Sequence, residues 1–167
     1  MGDRLAGFLY KPYDAAQVNA ILSALTPAPD VRIRTFRAFD VFINGLAVRF
    51  DSSKAKELLA LLTDANGSFV AMDEAIDKLW PNKDAEHGKR LYRDAVSRLK
   101  LTLKQNGLER LVRFERAQAA IDARHCSCDL WTLLEQGGTF HESYLPQYDW
   151  ALETDAALHA RFGAVRE

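Results

Sequence analysis

The stretch AEHGKRLYRDAVSRLKLTLKQ, residues 85–105, decides the fold. Leu91, Val96, Leu99 and Leu103 recur at helical spacing, with Tyr92 and Ala95 flanking them. They mark the buried stripe of one long helix, from about Ala85 to Gln105. Asn106-Gly107 stops it. The remaining surface is cationic. Lys89, Arg90, Arg93, Arg98, Lys100 and Lys104 stand against Glu86 and Asp94, six positive charges less two negative, in a chain of formal net charge −1. Arg90, Asp94, Ser97 and, a turn further on, Lys100 or Lys104 share a face by i, i+3, i+4 spacing, opposite the stripe. A helix packed on one side and cationic on the other suits the major groove of DNA. There arginine reads guanine bidentately, and lysine or serine holds phosphate. Taken alone, a basic helix face is more often solvated surface, so the neighbouring elements carry the weight.

Upstream, Leu58, Leu59, Leu61 and Leu62 give the buried stripe of a helix over 52–65, capped by Ser52 or Ser53 and ended by Asn66-Gly67. Phe69-Val70 is a short extended piece. Met72 to Trp80 reads as a second short helix, with Asp73 and Glu74 in the first turn, where they suit the helix dipole, and Pro81 closing it. Further upstream, Val31, Ile33 and Thr35 alternate with Arg32 and Arg34, and Phe39, Val41 and Ile43 alternate again. Asn44-Gly45 turns the chain into a return strand over Leu46 to Phe50. Downstream of the long helix, Leu111 to Phe114 and Ala119 to Ile121 flank the polar tip Glu115-Arg116-Ala117-Gln118 as a hairpin. The expected class is α+β: a leading antiparallel sheet, then a helix-turn-helix, then a wing, with further helices at the C-terminal side.

Four arginines of the first sheet, Arg32, Arg34, Arg37 and Arg49, read mainly as solubilising strand edges, with backbone affinity for DNA as the alternative. Arg113 and Arg116 on the hairpin are balanced between solvated surface and contact with phosphate or the minor groove.

The flanks divide from this core. Residues 1–26 read as a strand, Gly7 to Tyr10, then Lys11-Pro12 and a helix with Asp14 and Gln17 in a capping box. Tyr13 and Val18 sit at staple positions, and Val18, Ile21, Leu22 and Leu25 form the apolar side. Residues 27–30 complete a stiff linker, Thr26-Pro27-Ala28-Pro29-Asp30. The central unit spans 31–124, and 125–167 form a helical extension: a short helix from Asp129 to Glu135, a break at Gly137-Gly138, and a helix from about Tyr148 to Phe162.

Composition excludes several classes. With 167 residues, 48% hydrophobic and 27% charged, the chain can bury a core. Near-zero net charge makes any nucleic-acid case rest on local charge. Cys126 and Cys128 are too close for an ordinary disulfide and read as reduced thiols. With His125 and His141 nearby they invite zinc, but Cys-Ser-Cys is a poor ligand spacing, and that reading is rejected. There is no phosphate loop, dinucleotide fingerprint, nucleophile elbow or defensible acid–base pair, so an enzyme is not expected, nor a cofactor. No long apolar stretch marks a signal peptide or a membrane span, and the expected location is cytoplasmic.

Three motifs, VRIRTFRAFDVFINGLAVRF (31–50), SSKAKELLALLTDANGSFVAMDEAIDKLWP (52–81) and LYRDAVSRLKLTL (91–103), resemble the OmpR-type winged-helix output domain. They resemble it in the variant found in bacterial SARP-type regulators. That resemblance implies that Arg90, Asp94 and Lys100 face the groove, and that Arg93, Ser97 and Arg98 lie on or beside phosphate-contacting positions. It leaves Asp94 either accepting from cytosine or pairing with Arg90 or Arg98. The wing departs from the family's glycine- and tyrosine-containing tip, since 116–121 reads RAQAAI. The tail, CDLWTLLEQ and ESYLPQYDWALETDAALHARF, resembles the start of the bacterial transcriptional activation domain of those regulators. It is too short for a full helical-repeat array, so its helices are expected to fold back onto the winged helix or to pair between subunits. The head, GDRLAGFLYKPYDAAQVNAILSAL, resembles the end of a response-regulator receiver of two-component systems. In that family the lysine, here Lys11, contacts the phosphoryl group. A chain holding only that end of a receiver would not carry out phosphorelay by itself, whether it is a piece of a longer regulator or a gene that lost most of its receiver.

The expected function is sequence-specific binding of double-stranded DNA as a transcription regulator, with RNA polymerase as the partner the resemblance implies and a homodimer as one use of the 1–26 helix. The rival is a protein–protein interaction module derived from a winged helix that no longer binds DNA. A basic stripe continuous from the long helix to Arg113 favours the first; a broken stripe with an exposed apolar patch favours the second.

Overall fold

The computed structural model describes residues 15–25 and 28–163. The expected strand at 7–10, Lys11-Pro12, the staple at Tyr13, the cap at Asp14 and the Thr26-Pro27 part of the linker lie outside the described residues. Among those described, six α-helices and two small sheets make an α+β chain.

Helix α1, Ala15–Leu25, carries Val18 and Ile21 half-buried. Strands β1 (Val31–Arg34) and β2 (Asp40–Ile43) pair antiparallel, with Val31, Ile33 and Val41 buried and Arg32 and Arg34 outward. Asn44 and Gly45 both take positive φ, the conformation an Asn-Gly hairpin turn requires. The Asn44 side chain also accepts from the Asp30 N–H at 3.0 Å, which ties the end of the linker to the turn. The return strand is shorter than expected. Strand β3 is Leu46–Ala47 alone, an exposed sheet edge, because the chain peels away after Val48 N–H reaches the Val41 carbonyl.

Helix α2, Ser53–Asp64, is the centre of the molecule. Of the two candidate caps, Ser52 takes the role, its hydroxyl accepting from Ala55 N–H at 3.1 Å. The expected leucine stripe is wider than a stripe. Ala55 and every residue from Leu58 to Thr63 are buried, and a run buried on every side must be covered on every side. Strand β4, Val70–Ala71, leads into α3, Met72–Leu79, and a Pro81-containing turn leads into α4, Ala85–Gln105. Hairpin strands β5 (Val112–Glu115) and β6 (Gln118–Ile121) follow, and β4 adds to β6 to make a three-stranded antiparallel sheet. These elements cover one side of α2.

Residues 125–163 cover the other side. Strand β7, Ser127–Cys128, joins β1 in parallel, so the leading sheet has order β3-β2-β1-β7 and is mixed, not purely antiparallel. Helix α5, Asp129–Gln136, begins at a carboxylate that accepts from Thr35 N–H, Thr35 hydroxyl and Phe36 N–H. Helix α6, Leu152–Phe162, follows a short 3-10 turn. Trp131 Nε1 donates to the Thr63 carbonyl, and Tyr144 hydroxyl donates to Asp64 at 2.8 Å. Leu130, Trp131, Tyr144, Leu145 and Leu158 belong to the same continuous core as the α2 leucines. Of the two placements expected for the tail, the described residues show it folded back.

Candidate nucleic-acid interface

Helix α4 is positioned by its first turn and by one glycine. Asp84 caps it, its side chain accepting from His87 N–H at 3.0 Å, and that contact holds the Asp84 carboxyl below its ordinary range. Gly88 is buried where α4 crosses α3: a Cβ there would lie 2.5 Å from Ile76 Cγ2. The buried stripe is therefore Gly88, Tyr92, Ala95, Leu99, Thr102 and Leu103. Leu91 and Val96, expected at its centre, are half-buried margins, since α2 and α3 close over the Gly88–Tyr92 side. Lys54 on α2 braces the entry to this helix pair. Its Nζ donates to the Leu79 carbonyl at 2.8 Å, satisfying an end group of α3, and lies 5.6 Å from the Trp80 ring centre.

The opposite face is exposed. Arg90, Arg93, Asp94, Ser97, Arg98, Lys100 and Lys104 all lie on it or at its margins. Among the described residues, Arg90, Arg93 and Lys104 have no ion-pair partner. Asp94 pairs with Arg98, at 2.9 Å from Nε, rather than with Arg90. Lys89 faces Glu86 at 3.4 Å. These are surface pairs, worth no more than about 1 kcal/mol each and screened by salt.

The hairpin divides the remaining basic residues. Lys100 Nζ lies 4.8 Å from the Phe114 ring, which joins α4 to β5. Phe114 is in register with Ala119 and Val70, on the face of the sheet that meets the core. Arg113 alternates to the other face. There its guanidinium lies 4.9 Å from the Phe69 ring, above buried Ala120. A basic stripe continuous from the long helix to Arg113, the arrangement that would favour DNA, is not formed: the thickness of the sheet splits it. Arg116 is exposed at a two-residue tip, with Glu115 and Gln118 already paired beneath it. The absent glycine is replaced by Ala117 at φ 57°, whose carbonyl accepts from Met72 N–H at 2.9 Å.

No protein-family model matches the chain, and no curated protein matches it by sequence. Among solved structures, Mycobacterium tuberculosis EmbR in complex with low affinity phosphopeptide is similar at 17% identity and a TM-score of 0.49. The match covers 59% of this chain and 27% of that one, so this chain spans about a quarter of that structure's length. A similarity of this size fixes no shared activity.

Three exposed residues near α4 were not legible as site candidates. Lys83 lies in the turn before α4 and Arg110 in the turn after it; neither belongs to a periodic pattern. Leu101 is 56% exposed in the middle of the cationic face. Its helical angle, rather than its residue type, was the available signal. The thiols do not form a reactive site: burial pushes Cys126 up to about 12, and Cys128 also rises. Among the described residues no three His, Cys, Asp or Glu side chains gather to hold a metal, and no helix is long and apolar enough to cross a membrane.

Proposed function

We propose that this protein is a winged helix-turn-helix transcription regulator that binds duplex DNA sequence-specifically, with α4 in the major groove and β5–β6 as the wing. The observation that carries the reading is the exposed face of α4, where Arg90, Arg93 and Lys104 stand opposite the buried stripe with no ion-pair partner among the described residues. The order of α2, α3, α4 and hairpin supports it, as does the attachment of the hairpin to β4 and the start of α3. On this reading Arg90 meets base edges and Arg93, Ser97 and Arg98 meet phosphates. Lys89, Lys100 and Lys104 add backbone contacts, and Asp94 steers Arg98. Arg116 reaches the flanking duplex from the tip, while Arg113 contributes at long range only. RNA polymerase is the protein partner that the sequence resemblance implies.

The test is selection from random duplex DNA at about 0.15 M salt, where exposed charges are screened beyond about 8 Å. Fluorescence anisotropy on the enriched pool follows. An enriched motif bound well above random DNA is the expected result. Weak, salt-sensitive binding without a motif would overturn it.

A second reading has one observation in its favour. The basic stripe is broken between α4 and Arg113, and Leu101 is exposed among cations two of which Glu86 and Asp94 already engage, a mixture that also suits a protein surface. On that reading the same face holds a protein partner, and no DNA motif is enriched.

A further inference from the structure

Leu101 occupies a position on α4 that burial does not explain. Successive residues of an α-helix advance by about 100°, which places Arg90, Ser97, Leu101 and Lys104 within a sector of about 60°. This sector is centred opposite the buried stripe of Gly88, Tyr92, Ala95 and Leu99. Leu101 is 56% exposed there, one turn beyond Ser97 and one turn before Lys104. The Asp94–Arg98 pair borders it on one side, and on the other Lys100 lies against Phe114. A single exposed leucine is ordinary on a protein surface. One at the middle of a cationic helix face is placed where a bound duplex would bury it.

The major groove presents one apolar group, the 5-methyl of thymine, and presents it only there. Arginine and lysine heads at the margins would hold phosphates on either side, leaving the branched side chain between them to meet a base edge. We infer that Leu101 is a specificity-determining residue that recognises the 5-methyl group of a thymine in the operator. The inference rests on the DNA-binding reading above and deepens it: it names a base, a groove and an atom.

Deoxyuridine tests it directly, because it differs from thymidine only in lacking that methyl and keeps every hydrogen bond and phosphate. The selected operator is made with each thymine replaced in turn by deoxyuridine, and affinities are measured for the full chain and for Leu101→Ala. Leu101 is exposed, so the variant should fold, which circular dichroism checks. The wild type should lose about fourfold in affinity at one thymine, corresponding to the ~0.8 kcal/mol of one methyl left in water. Leu101→Ala should bind the thymine and uracil duplexes equally at that position. A wild type indifferent to every replacement, or an equal penalty in both proteins, overturns the assignment while leaving the DNA-binding reading intact. Failure to select any operator overturns the DNA-binding reading itself and Leu101's role with it; the two failures are seen at separate steps.

Discussion

Trp150 Nε1 donates to Glu57 Oε1 at 3.1 Å, joining the residues before α6 to the first turns of α2. The other oxygen of the same carboxylate accepts from Lys54 Nζ at 2.7 Å, and Lys54 in turn donates to the Leu79 carbonyl at the end of α3. A tail residue is therefore connected through two side chains to the turn that launches α4. The Trp150 ring is stacked on Tyr148 at 5.5 Å, which fixes its orientation.

Trp150→Phe keeps the ring contact and removes the donor. A hydrogen bond to a charged acceptor is worth about 1.5–3 kcal/mol when buried. Trp150 is half-buried and Glu57 keeps Lys54, so the expected loss is about 1 kcal/mol by urea unfolding. A variant as stable as the wild type would show that the contact contributes nothing.

Gly88→Ala should destabilise. In an open helix the change would stabilise by about 1 kcal/mol through propensity. Here the new methyl meets Ile76 Cγ2, a methyl held directly on the branched Cβ of a buried side chain, and α3 must move away from α4. Overpacking of this kind costs about 1–3 kcal/mol, so the net effect is negative. Chemical denaturation decides it, and a gain in stability would mean that α3 and α4 are not in contact at that point.

Ala117→Gly should stabilise by about 0.5–1 kcal/mol. Alanine at φ 57° sits in the left-handed region, where its Cβ crowds the following carbonyl, and glycine does not. The relief exceeds the entropy that glycine adds to the unfolded chain. A lower melting temperature for the variant would contradict the strained tip.

Acid should unfold the protein through identifiable carboxylates. Asp122 is held well below its ordinary value by the Arg124 guanidinium, and Asp84 by His87 N–H. Burial pushes Asp40 up, but Lys56 and Arg34 pull it down further. A carboxylate whose folded pKa is depressed adds stability above its unfolded pKa and loses it as pH falls through the folded value. The contribution is complete above about pH 5 and erodes below it. Asp122→Asn should therefore lose less stability than the wild type between about pH 5 and pH 3. Equal losses in urea titrations would remove Asp122 from the account.

Arg90→Ala should cost about 1–3 kcal/mol of binding at one or two operator positions, the range for a bidentate base contact. Arg98→Ala should weaken binding to all sequences alike and reduce the salt slope by about one. Anisotropy against operator and random duplexes at several salt concentrations separates the two. Equal losses on both duplexes for Arg90→Ala would make it a backbone contact.

The sequence alone determined the elements that carry their own period or punctuation. Residues 85–105 form a helix with the expected bounds, because 3.6-residue apolar spacing and Asn106-Gly107 are both local signals. Asn44-Gly45 and the inward alternation of Val31 and Ile33 are local in the same sense. The cationic composition of α4 was equally plain. Tertiary structure decided what local signals cannot hold. Strands β4 and β7 are two residues long, too short for any period, and exist only because β6 and β1 lie beside them. Gly88 and Thr102 entered the buried stripe, and Leu91 and Val96 moved to its margins, because the width of a helix's buried face is set by its neighbours. Arg113 and Lys100 share charge and nearness, yet the sheet separates them, since alternate strand residues point to opposite faces. Leu101 falls opposite the apolar stripe by helical angle alone; what the packing of α4 on α2 and α3 decides is that no other element covers that side, so it stands exposed in the middle of the cationic face.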